Sequence, residues 1–390
     1  MKNRLLGVIL GGMVLYLVSA GSSWAVFRYL NTPSAEGLKT GLKLPIVGKG
    51  ALRIDTSAPK TAVCPINGGM FTEAEKKIWE GRRPLTVMIE NHQDSRPQSG
   101  LSAADVIYEA VAEGGITRFL AVYYCGVAAG EVIIGPVRSA RTYFVDWASE
   151  YGDYPLYAHV GGANLPGPAN ALGQIGDYGW LAKRNDMNQF SLGFPVFWRD
   201  YERLGHEVAT EHTMYSNTEK LWEVAEKRGL EAVDDKGNRW DKNFVGWEFK
   251  DEAPEDKRGG VAKITLGFMG DYADYLVEWQ YDKSNNVYRR FNGGQPHKDL
   301  NNDVQLEAKN VVVVFMQEKG PIDELKHMLY GTTGKGKALV FQDGQGVEVS
   351  WQKAKRADRT IFTDVKGKEI VFNRGPIWIE VVATGREVKY

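Results

Sequence analysis

The chain has 390 residues, 43% of them hydrophobic and 25% charged, a globular composition with length enough for two cores. Its formal net charge of -1 gives no field that would attract nucleic acid, and neither structural repeats nor low-complexity tracts are evident. The 11 Trp, 18 Tyr and 15 Phe favour β-rich packing or surfaces that bind sugars and peptides.

Lys2 and Arg4 precede an uncharged stretch of 23 residues, Leu5 to Phe27, long enough to cross a bilayer as a helix. The basic end should stay in the cytoplasm and send the body outside, which makes residues 1–30 the anchor of a single-pass membrane protein. Ser23-Trp24-Ala25 supports a second reading, a signal peptide whose cleavage releases a secreted body. No lipid-attachment cysteine follows the apolar stretch. Residues 31–62, rich in Gly, Pro, Thr, Lys and Ser, read as a flexible tether. The only cysteines, Cys64 and Cys125, either form one disulfide in an oxidising compartment or stay as two unpaired thiols. A bridge would close a loop of about 60 residues, worth ~4 kcal/mol on the chain-entropy model. Without a CxxC pair, neither a redox motif nor a zinc site is expected.

An N-terminal α/β domain is expected over residues 63–249. Thr72 followed by Glu75 fits a capping box and predicts a helix over Glu73–Glu80. Leu85–Glu90 reads as a buried strand. Ala103–Ala112 mixes signals, its β-branched residues favouring strand and its alanines helix; a helical turn at Ser102–Ala104 and then a strand satisfies both. Strands are expected at Phe119–Cys125, Glu131–Pro136 and Leu156–Val160, and a helix over Ser139–Ser149. Asn164–Gly193 reads as a long irregular loop, and such loops often carry binding function. A short helical piece at Asp200–Leu204 and an amphipathic helix over Thr218–Lys227 complete the half.

The charged segment Asp251–Val261 marks a boundary. Beyond it the pattern is β: Ala262–Phe268, Tyr275–Tyr281, Val287–Phe291, Asn310–Met316, Lys337–Phe341, Val347–Trp351, Ile370–Phe372 and Ile377–Val382, with only Pro321–Lys326 helical. The fold class is therefore α+β, an α/β domain with a mixed sheet followed by a β-rich, mainly antiparallel domain over 261–390.

Chemistry concentrates in PLTVMIENHQDSRPQSGLSAADVIYEAVAEGGITRF, residues 84–119, which sets Glu90, His92, Arg96, Glu109, Glu113 and Arg118 beside buried strands. Arg138, Ser139 and Arg141 follow in GPVRSAR. A helix starting at Ser139 would offer free N–H groups which, with the arginine forks, suit a carboxylate or phosphate. The competing reading pairs these arginines with Glu90, Glu109 and Glu113 in a buried network. Glu109 and Glu113, four residues apart, share a face in either a helix or a regular strand. Two carboxyls so placed should split their pKa values and leave one as a general acid for glycan cleavage, or else serve as a structural pair. His92 and His159, with Asp177 or Asp200, could shuttle a proton or ligate a metal, but no metal-binding spacing exists and hydrogen-bonding histidines are expected. No cofactor is called for: the glycine clusters complete no nucleotide loop, and Ser139 lacks a nucleophile elbow.

The 84–119 block, together with IGPVRSAR, YAHVGG, FWRD, GGQPHKD and NRGPIWI, resembles the YerB-like envelope proteins of bacteria, a family of unknown function, from about residue 80 to the end. The resemblance implies an α/β domain, a β-rich domain and an extracytoplasmic, usually lipid-anchored location. This chain departs in lacking the lipid-attachment cysteine, so a helix anchor would replace the lipid. The function expected is a membrane-tethered protein that holds an anionic, cell-wall-derived ligand such as a peptidoglycan fragment, with Trp180, Phe190, Phe194, Phe197 and Trp198 either as a stacking wall for sugar rings or as core. A glycan-cleaving enzyme using Glu109 or Glu113 and a protein-docking scaffold are the alternatives.

Overall fold

The computed structural model describes residues 54–270 and 272–390. The expected anchor and most of the tether lie outside them, and among the described residues no helix is long and apolar enough to cross a membrane. The protein is α+β, built on a ten-stranded mixed sheet. Its strands run in the order Ile361–Thr363, Gln345–Lys353, Gly334–Gln342, Asn310–Met316, Ile377–Ala383, Val106–Glu113, Ile116–Tyr123, Leu85–Glu90, Leu156–His159 and Asp186–Asn188. The central strands are continuous apolar runs, as strands covered on both faces must be: Val311 to Val314 are all buried. The sheet spans both halves of the chain where Ile377–Glu380 pairs in parallel with Val106–Glu109.

A second, antiparallel sheet contains Lys263–Leu266, Val277–Asp282 and Val287–Asn292. It packs against the large one through Trp279, which meets Trp378 edge to face at 5.2 Å. Between the sheets lies a buried ion pair. Arg290, fully buried, reaches across to Glu109, also fully buried, and the two carboxylate oxygens are shared among Arg290, Thr117 at 2.6 Å and Asn91 at 3.0 Å. The guanidinium sits over the rings of Trp378 (4.6 Å), Phe119 (5.6 Å) and Trp279 (5.7 Å), an aromatic enclosure that favours a desolvated cation. Arg290 Nη1 donates to His297 Nδ1 at 2.5 Å, so His297 holds its proton on Nε2 and donates it to Gln98 Oε1 at 2.6 Å. Burial, with Arg290 and Arg96 close by, pushes the His297 imidazole far below its usual range. Glu380 lies in register beside Glu109. Burial and the Glu109 charge push its carboxyl far above the usual range, so the cluster balances one cation with one anion.

Cys64 and Cys125 are joined in a disulfide, Cα atoms 6.0 Å apart. Beside it, buried Asp105 accepts from the backbone N–H groups of Tyr124 (2.7 Å), Cys125 (2.9 Å) and Gly126 (3.1 Å) and from Asn67 (2.8 Å), binding the segment before the first large strand to the end of Ile116–Tyr123.

Several expected elements shift. The helix placed at Ser139 begins only at Thr142 and spans Thr142–Ala148. Residues 138–140 are extended instead: Arg138 N–H bonds to Met88 and Ala140 N–H to Gly161. The helix-terminus anion site expected at Ser139 is therefore not formed. The long loop Asn164–Gly193 carries helices Ala171–Asp177 and Trp180–Lys183 and the edge strand Asp186–Asn188. Asn170 caps the first through Gly173 N–H at 2.8 Å, a start signal masked by the surrounding glycines. Asp200–Leu204 and Pro321–Lys326 are turns; at the second, Asp323 accepts from the backbone and ring of His327 and closes the chain locally.

Glu109→Ala removes the carboxylate hydrogen-bonded to Arg290 and leaves only Glu380, 3.7 Å from Arg290 Nε, near the buried guanidinium. It is expected to lower stability by about 3–5 kcal/mol, read as a shift of the urea midpoint. Replacing both cysteines with alanine should remove about 4 kcal/mol more at a separate location, additively with the first change, and double-mutant unfolding curves check this.

Candidate functional site

The residues flagged in the 84–119 block divide between two clusters, and a single extra residue divides them. Glu109 is opposite Phe119 and Val111 opposite Thr117, but the register then slips so that Glu113 is opposite Ile116. The bulge at Ala112 breaks the two-residue alternation. Glu109 consequently shares a face with Thr117 and enters the Arg290 cluster, whereas Glu113 meets Arg118 on the other face. The two acids are not co-facial, contrary to the spacing argument. The carboxyl beside Glu109 is that of Glu380, far away in sequence.

On the Glu113 face three arginines and two glutamates gather. Arg118, buried, donates to Glu113 Oε1 and to the Ser139 carbonyl at 3.0 Å. Arg141 donates to Glu113 Oε2 through Nη2 at 2.7 Å and Nε at 3.1 Å, and to the Ala140 carbonyl at 2.7 Å. Glu90, buried at the end of its strand, divides its oxygens: Oε1 accepts from Arg138 Nε at 3.0 Å and Oε2 bonds to His212 Nδ1 at 2.8 Å. Burial pushes the Glu90 carboxyl up, but the His212 hydrogen bond and the Arg138 and Arg118 charges outweigh it and hold it below the usual range. Burial likewise pushes the Glu113 carboxyl up, but the charges of Arg118 and Arg141 outweigh it and hold it below the usual range. Burial and the neighbouring arginines push Arg118 down to about 10, still a cation at neutral pH. The hydrogen bond to Glu90 raises the His212 imidazole. Three guanidiniums against two carboxylates leave the cluster with an excess of positive charge.

That excess faces a cleft of about 690 Å³ lined by Arg138, Ser139, Gly161, Gly162, Asn164, Asn188, Phe190, Arg199 and Glu211, among others. Arg138 is tied only through Nε; its two terminal nitrogens bond to no described residue. Arg199 is positioned by the Thr210 carbonyl and by Thr213 Oγ1 at 3.2 Å. Phe190, 77% exposed, offers a ring at the rim. The floor is set from beneath by His159, fully buried. The Gly161 carbonyl, 2.6 Å from Nδ1, can only accept, so Nδ1 carries a proton; Nε2 meets Asp186 Oδ1 at 2.6 Å. Asn188, two residues past Asp186, takes Gly161 N–H at 3.2 Å. His159 thus positions the cleft without lining it, and its acid is Asp186 rather than Asp177 or Asp200.

Of the other flagged residues, Arg96 staples the turn after its strand, donating to the Asn91 side chain and carbonyl at 3.0 Å each and to the Asp274 carbonyl at 2.7 Å. His92 stacks on His212, ring centroids 4.7 Å apart. The aromatic wall is divided: Trp180 and Phe197 are core, Trp180 packed on Tyr157, while Phe190 and Phe194 are exposed. Asn188, Arg199 and His212 went unflagged; only the FWRD block hinted at Arg199, and an isolated histidine 122 residues from Glu90 carries no local signal. Chemically, guanidinium nitrogens left open in a cleft are groups suited to an anion. Glu109 is sealed from solvent, and Glu113, held ionised by two guanidiniums, has no proton to give near neutral pH.

Two family models match the chain: the N-terminal domain of a protein of unknown function (DUF3048) over residues 69–231, and the corresponding C-terminal domain over 264–379. YerB of Bacillus subtilis (strain 168) is 29% identical over 333 residues, which is 83% of this chain and 87% of that protein. A crystal structure of Bacillus subtilis YerB superposes with a TM-score of 0.66 at 26% identity, covering 84% of this chain and all of that one. The chain therefore belongs to the YerB-like two-domain family, whose function is unknown.

Proposed function

We propose that this protein works at the bacterial cell envelope and holds an anionic, cell-wall-derived ligand in the cleft beside Arg138. Envelope association is suggested by YerB, whose name describes a candidate lipoprotein, together with the apolar N-terminal stretch. One observation carries the ligand reading: Arg138 lines the cleft, is anchored through Nε on Glu90, and keeps both terminal nitrogens unbonded to described residues. A guanidinium fixed at one nitrogen and open at two presents a preorganised fork for a carboxylate or phosphate. Arg199 across the cleft and the exposed Phe190 ring suit a ligand that joins an acidic group to a sugar.

The test is titration of the full-length protein with soluble peptidoglycan fragments. Arg138→Ala is expected to weaken binding roughly ten- to a hundredfold, the loss of charge-assisted bonds of about 1.5–3 kcal/mol. Affinity that Arg138→Ala leaves intact overturns the reading, and release of glycan products by the parent protein would replace it with an enzyme.

The paired glutamates set the acid limb of stability. Because the folded-state pKa of Glu90 and of Glu113 lies below the ordinary 4.5, their contribution is complete above that value and is lost as pH falls from it through the lower folded-state values. Glu113→Gln should cost about 1.5–3 kcal/mol at pH 7 and flatten the decline below pH 4.5, seen in urea midpoints measured from pH 7 to pH 3.

A further inference from the structure

We propose that His92, Asp94 and His212 form a binding site for a divalent cation of the zinc class, with Glu90 behind it as the group that orients His212. The three residues come from separate places, His92 and Asp94 from the turn after strand Leu85–Glu90 and His212 from the turn Thr210–His212. Each offers a ligating atom, and these atoms lie within 4.8 Å of one another. Because Glu90 holds the His212 ring, His92 and Asp94, the more exposed pair, are the side chains that turn to bring these atoms onto one ion. The imidazoles of His92 and His212 are nearly parallel, 17° between planes.

The groups that would orient the histidine ligand are already in place. Glu90 Oε2 occupies Nδ1 of His212 at 2.8 Å, which leaves Nε2 as the ligating nitrogen and fixes the ring. A carboxylate on the far nitrogen of a metal-bound imidazole is the usual support of such a ligand. The other oxygen of Glu90 is held by Arg138, so the support is itself immobilised. On His92, Nδ1 accepts from Asp94 N–H at 3.2 Å and lies 3.6 Å from Asp94 Oδ2. Two imidazoles and one carboxylate suit Zn²⁺ or Co²⁺ far better than Mg²⁺ or Ca²⁺, which prefer oxygen ligands. Burial grades outward from His212 through His92 to Asp94, whose side chain is 54% exposed. A three-ligand set open on one side keeps coordination positions for water or an incoming anion. The site shares Glu90 with the Arg138 cleft, and a metal titration reads it with the cleft's ligand absent.

The experiment is calorimetric titration of chelator-stripped full-length protein with ZnCl₂, paired with the visible absorption of the Co²⁺ form. One equivalent is expected to bind. His92→Ala, at a half-buried position, and Asp94→Ala, at an exposed one, should each weaken Zn²⁺ at least about tenfold, and Glu90→Gln, which loosens both His212 and Arg138, by roughly 10- to 100-fold. His206→Ala, at an exposed site elsewhere, should change nothing. Metal-free melting curves of His92→Ala and Asp94→Ala that match the parent show that loss of the metal is not loss of the fold. The proposal is overturned if no stoichiometric binding occurs, or if affinity is unchanged in either His92→Ala or Asp94→Ala.

Discussion

The ion pair between Glu109 and Arg290 is the constraint on which the architecture rests. A guanidinium in a dry interior is tolerated only with a counter-charge and a favourable surround. Here the carboxylate comes from the N-terminal part of the chain, and the guanidinium and two of the three enclosing rings from the C-terminal part. The C-terminal part adds a second carboxyl, Glu380, 3.7 Å from Arg290 Nε, so the guanidinium lies between acids from both parts. The parallel pairing of Ile377–Glu380 with Val106–Glu109 delivers Glu109 to the place where Arg290 descends, so strand register and charge pairing specify each other.

The same cluster reaches the cleft through a short polar chain. His297 passes its proton-bearing nitrogen to Gln98, and Gln98 donates to the Glu90 carbonyl and to Asn91, each at 3.0 Å. Asn91 in turn donates to Glu109. The backbone that aims Glu90, and through it Arg138 and His212, is thus buttressed by the pair that joins the sheets. Precise placement of a binding group generally requires support of this kind.

Local patterns in the sequence were legible wherever local physics decides. The capping box at Thr72 and Glu75 starts its helix as expected, and strands Leu85–Glu90 and Asn310–Met316 and helix Thr218–Lys227 have the expected bounds. The gathering of arginines with Glu90 and Glu113 was also readable, because buried charges must find partners. What escaped depends on long-range geometry. No residue type announces the bulge at Ala112, yet it sends Glu109 and Glu113 to opposite faces. Arg290 sits in an ordinary alternating strand, and His212 in a polar turn; each acquires its role from a partner more than a hundred residues away. Residues 138–140 stay extended because neighbouring backbone captures their hydrogen bonds, which helix propensity cannot foresee.

The disulfide has a mechanical meaning as well. The hairpin Lys60–Val63 with Met70–Thr72 is a short two-stranded ribbon that would peel apart readily under tension. Cys64 follows its first strand directly and is bonded to Cys125, just beyond Ile116–Tyr123 in the middle of the large sheet. A pull on the chain ahead of the hairpin therefore passes through the sulfur bridge into a strand hydrogen-bonded on both sides. There, rupture requires shearing a full ladder at once, so the body can remain folded while its leading end bears load.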